Sequence, residues 1–261
     1  MQIIAIHHWP EGQDFIQKIA ENLDLLVFEA QQRMAGGGPV IIASFADAAV
    51  AEAAKNRLEE IGTPCLLIDT TELQEKSEPV MVRHFRLADT MLEIETASGQ
   101  EINIPYSSMT HLLSATTVIT PEEQGTTETR RKFSLGKTML AGGVPMSKKV
   151  AQQTVGKQEQ RDEILCLYAG VSSPFYFMRN RLNYSGLGDA MKITGELNFN
   201  FLKAELARLA PQALADDRLR NRSGLVRLLG TSFDPDTHLD LAFEVLVRSL
   251  QPSGSEPKKP K

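Results

Sequence analysis

The chain has 261 residues, 42% of them hydrophobic and 23% charged, with a formal net charge of −5. These values describe a globular protein of one or two domains with ample apolar material for a core. No apolar run approaches the roughly 18 residues of a membrane span, and the acidic balance argues against general nucleic-acid binding by the whole surface. Met1–Trp9 has neither a basic leader nor a long apolar stretch, so a cytoplasmic protein is expected. Cys65 and Cys166 stand far apart in apolar runs. They read as buried thiols in a reducing compartment, with a disulfide as the alternative.

Residues 1–75 read as a small α/β domain. Ile3–Ile6 is a short apolar run. Gln13–Met34 carries Ile16, Ile19, Leu23, Leu26 and Ala30 at helical spacing, which predicts one helix, ended by Gly36–Gly38. Val40–Phe45 is of buried-strand type. Asp47 is placed to cap a helix with Val50, Ala54, Leu58 and Ile61 on one face, and Gly62 and Pro64 stop it. Cys65–Asp69 is another buried strand, so the run predicts a parallel β-α-β crossover. Glu72–Pro79 is polar and reads as a linker.

From about residue 80 the pattern changes to alternation. Leu92 and Ile94 share one face of Met91–Thr96, Ile102 and Ile104 share one face of Glu101–Pro105, and Ala97–Gly99 supplies the turn of a hairpin. His111–Ile119, Ile164–Tyr168 and Phe175–Met178 are further β-prone runs. A helix is expected from about Glu196, with Phe199, Leu202, Leu206 and Leu209 on one stripe and Pro211 closing it. Antiparallel strands followed by one amphipathic helix describe a small curved sheet with a helical cap.

The stretch Leu92–Met109 (LEIETASGQEINIPYSSM) resembles strands of bacterial pleckstrin-homology-like domains, in which an exposed hairpin precedes an "IPY" step. The helix Glu196–Leu209 is similar to their C-terminal capping helix. The resemblance covers roughly Val82–Pro211 and implies a binding or assembly scaffold, usually without catalysis. It carries no binding residues across. The long insert Thr120–Arg161 departs from a compact domain of that kind.

Residues 212–250 read as a helical extension. Asp234 is expected to cap a helix with Pro235 at its first position, and Leu239, Phe243, Leu246 and Leu250, joined by Ala242 and Val247, form its stripe. That stripe needs a groove, supplied by this chain or by a partner. Residues 251–261, which include Ser253–Lys261 (SGSEPKKPK), read as a disordered tail.

No motif for catalysis, metal binding or nucleotide binding is complete, and no cofactor is expected. Gly136-Lys137-Thr138 matches the end of a phosphate loop, but Arg131 stands where the loop needs glycine. The turn Ser44–Asp47 lacks the glycines that let a pyrophosphate approach, and Asp47 would repel it. Asp234, Asp236, His238 and Asp240 gather oxygens and an imidazole, yet Leu239 and Val245 replace the glycine and glutamate of a calcium loop. The cluster reads as an acidic first turn. His7 and His8 point to opposite faces of a strand. Tyr184-Ser185-Gly186 lacks the glycines that flank a nucleophile elbow.

Charge is distributed unevenly. From Arg130 to Arg161 eight basic residues meet one acid, Glu159, a net of +7, so the other 229 residues carry −12. Arg130, Arg131, Lys132, Lys148 and Lys149 flank the run Phe133–Met146, which contains Lys137; these six are the expected anion- or partner-binding residues. Three readings are open. The stretch is a solvated loop offset by acids elsewhere, it docks to an acidic patch on a protein partner, or it meets an anionic membrane. In the last case Phe133, Leu135, Met139, Leu140, Val144 and Met146 add shallow insertion. A single interleaved aromatic argues against nucleic acid.

The sequence therefore predicts an α+β protein of bacterial type. Residues 1–75 form an α/β domain and residues 80–211 an antiparallel β domain with a basic insert at 120–161. It is expected to act as a non-catalytic binding or regulatory protein through that insert. One alternative is an enzyme with a site of scattered residues between the domains, holding His84, His111 and carboxylates in a deep pocket. Another is a homo-oligomer subunit joined through the Leu239–Leu250 stripe.

Overall fold

A computed structural model describes residues 1–75, 78–119, 160–170 and 173–250. Among them the chain runs β1 (Gln2–Ile6), α1 (Gln13–Leu23), α2 (Val27–Met34), β2 (Val40–Phe45), α3 (Ala48–Glu60), β3 (Cys65–Asp69) and α4 (Thr70–Glu75). It continues through β4 (Val80–Leu87), β5 (Met91–Thr96), β6 (Glu101–Pro105), β7 (Met109–Ile119), β8 (Gln160–Ala169) and β9 (Phe175–Met178). It closes with α5 (Gly195–Leu209), β10 (Leu214–Leu219), α6 (Arg222–Leu229) and α7 (Leu239–Leu250). The fold is mixed α+β. Its two sheets have the strand orders β2-β1-β3 and β10-β7-β8-β9-β4-β5-β6.

In the smaller sheet β1 pairs antiparallel with both β2 and β3. The strands joined through α3 therefore run parallel, as expected, but they flank β1 instead of pairing with each other. Burial explains the insertion, because Ile3, Ile4, Ala5 and Ile6 are apolar on both faces and gain most from the central place. All of them are fully buried. Asp47 caps α3 as predicted, its Oδ1 accepting from Ala49 N at 2.7 Å and Val50 N at 3.0 Å.

The single helix expected over Gln13–Met34 is instead two. Asp24 takes the left-handed conformation at φ 54, and its amide bonds Ala20 O. A continuous helix of that length would run about 33 Å, roughly twice the reach of a five-residue strand. The break lets Phe15 and Ile19 of α1 and Ala30 and Met34 of α2 pack into one core with Ile4, Ile6, Val40 and Ile42.

In the larger sheet the β5–β6 hairpin has the expected register, Leu92 opposite Ile104 and Ile94 opposite Ile102. Thr194 caps α5 by accepting from Leu197 N at 3.2 Å. Phe199, Leu202 and Leu206 of α5 pack on Phe85, Leu92, Ile104, Leu167 and Phe177. Two readings are corrected in the C-terminal region. Leu214–Leu219, expected within a helical extension, is β10, an edge strand parallel to β7 with Leu214 beside His111. Asp234 caps a turn before α7 instead of α7 itself, its Oδ1 accepting from Asp236 N at 3.0 Å and its carbonyl from His238 N. The polar stretch read as a linker from Glu72 begins inside α4.

Tyr176 lies between Phe175 and Phe177, which face α5, so it points the opposite way. There its ring meets Phe243 of α7 at 5.7 Å. Across from that contact, Arg248 of α7 donates to Leu67 O at 3.3 Å, on the outer edge of β3. Helices α6 and α7 thus stand between the two sheets, with α1–α3 outside the smaller and α5 outside the larger. Ala242, Phe243 and Leu246 have no exposure, so this chain supplies the groove for that part of the α7 stripe. The described residues of Met1–Thr117 and from Asp162 onward form one compact unit.

Candidate functional site

Arg130, Arg131, Lys132, Lys137, Lys148 and Lys149 lie outside the described residues, as does the tail from residue 251. Residues 120–159 connect β7 to β8, which are neighbours in the larger sheet. The first acids after the basic stretch are Asp162 and Glu163 near the start of β8. Both are buried. Charged groups in that position need partners, since an unpaired buried carboxylate is strongly destabilising.

Distant elements bring those partners. Glu163 Oε1 takes Lys203 Nζ of α5 at 2.5 Å and Arg220 Nε, just after β10, at 3.1 Å. Its Oε2 stands 3.7 Å from Arg179 Nη1, just after β9. Asp162 Oδ1 accepts from Glu163 N at 2.9 Å and lies 3.7 Å from Arg179 Nε. Asn180 N donates to the same carboxylate, at 3.2 Å to Oδ2. Burial raises the Asp162 pKa, opposed by the amides of Asn180 and Glu163 and by Arg179 and Arg181. Tyr184 donates to Arg179 O at 2.7 Å, and Thr116 of β7 donates to Arg220 O at 2.7 Å. The arrangement is an ion cluster that ties β7, β8, α5 and two turns together. Its charges face one another, so it is suited to holding position and not to attacking a substrate.

The histidines weighed for a scattered site do not converge. His84 is on β4 and His111 on β7, with β8 and β9 between them. At about 4.8 Å per strand they stand roughly 14 Å apart. Instead His84 Nε2 lies 3.1 Å from Ser185 Oγ. Gly186 makes that approach possible, because a Cβ there would sit 1.7 Å from Phe85 O. No carboxylate among the described residues bonds His84, so the pair lacks the third group that orients an imidazole for nucleophilic catalysis.

His111 is buried, with Nδ1 3.1 Å from Thr110 Oγ1 and its ring against Tyr168 at 6.0 Å. Its Nε2 has no hydrogen-bond partner among the described residues, and burial lowers its pKa. Both cysteines are free, which corrects the disulfide alternative. Cys166 is buried, and burial pushes the half-buried Cys65 thiol up to about 12, so neither is an activated nucleophile. Asp236 is held by Arg222 through contacts of 2.7 and 3.1 Å.

Among the described residues no helix is long and apolar enough to cross a membrane. Compared with known proteins, the chain matches no family model, no curated protein and no solved structure.

The ion cluster was detectable in principle from sequence. Two adjacent acids entering the apolar run Ile164–Tyr168 signal charges that need partners. The partners themselves were not, since Lys203 lies 40 residues from Glu163.

Proposed function

We propose that this is a non-catalytic cytoplasmic binding protein that docks an anionic surface through the basic stretch Arg130–Arg161. The fold beneath serves as the scaffold, in keeping with the pleckstrin-homology-like pattern of its strands. The observation that carries this reading is the state of Asp162 and Glu163. They are the acids nearest in sequence to follow the stretch, and both are buried and bound to Arg179, Lys203 and Arg220. Recruiting them to neutralise the stretch would break the cluster and strand its cations. Neither acid is therefore free to offset the stretch, whose +7 against the −12 of the remaining chain suits it to an external anionic partner.

A full-length variant with Arg130, Arg131, Lys132, Lys148 and Lys149 all replaced by alanine tests the reading. Each engaged cation contributes about 1 kcal/mol near an anionic bilayer. Retention on phosphatidylserine-containing vesicles and on a polyglutamate resin is expected to fall to background and to vanish at lower salt. Retention equal to that of the natural chain on both would remove the proposal.

A further inference from the structure

We draw no further inference here: the strongest candidate, the exposed apolar tip of Met191, Ile193 and Leu197 where the chain enters α5, carries none, because nothing in the structure shows what covers it.

Discussion

Lys203 and Ile193 are ten residues apart, one on α5 and one on the turn that leads into it, and they depart from the inside–outside rule in opposite senses. At Lys203 the fold takes charge inside, where Glu163 and Asp162 are met by three cations. At Ile193 it holds apolar side chains outside, on a backbone clamped by Asn198. Each departure has a cost, since ions lose hydration on burial and apolar groups order water on exposure. Inside, the cost is offset within the molecule by hydrogen bonds and opposite charge. Outside, nothing in the described structure offsets it. A satisfied anomaly of this kind explains how the fold is held.

Glu163→Ala should break the comparison most severely. It leaves Lys203 partly buried without its counter-charge and Arg179 with Asp162 alone, and a loss of about 2–3 kcal/mol in urea-denaturation stability is expected, reduced from the fully buried case because Arg220 is half-exposed. If stability is unchanged, the cluster is a surface ornament and not a tie between elements.

A smaller effect is expected from Asn198→Ala, which frees the backbone of Lys192 without touching the apolar tip. Two hydrogen bonds to a buried side chain are lost, for about 1–2 kcal/mol. Amide exchange across residues 191–197 should quicken by a corresponding factor in hydrogen–deuterium measurements. Unaltered exchange would show that the tip is held by something else.

Acid should sharpen the contrast between a satisfied and an orphaned buried group. Burial lowers His111, so its contribution is present above its ordinary value of 6.5 and lost as pH falls through the folded value. A loss of at most about 1 kcal/mol is expected between pH 6.5 and 5.5, and His111→Gln should remove it from denaturation curves. Asp162 has the opposite sign. Its raised pKa gives stability that is full below the ordinary 3.8 and lost as pH rises through the folded value. A curve for His111→Gln that keeps the full slope above pH 5.5 would assign the loss to another group, such as His7, whose pKa burial and His8 also lower.

Much of the local structure was legible. Alternation in Met91–Pro105 specified the hairpin and its register, and the side chains of Asp47 and of the residues along α5 marked a cap and a stripe. Legibility failed where a neighbour in space decided the outcome. Leu214–Leu219 reads as polar because, as an edge strand, it is defined by its backbone ladder to β7 and not by buried side chains. The Gln13–Met34 stripe is real helical periodicity, yet Asp24 interrupts it so that two short helices match a short sheet. Met191-Lys192-Ile193 looks no different in sequence from many segments that end inside a core.

By itself, the amino-acid order determined the periods, the caps and turns, the α+β class, and the gathering of cations between Arg130 and Arg161. These are properties of residues close together along the chain. Only the tertiary structure decided that β1 divides the crossover, that Asp162 and Glu163 are neutralised from three other segments, and that Ile193 is left outside. Burial is set by what arrives from elsewhere, and a chain read residue by residue does not contain that arrival.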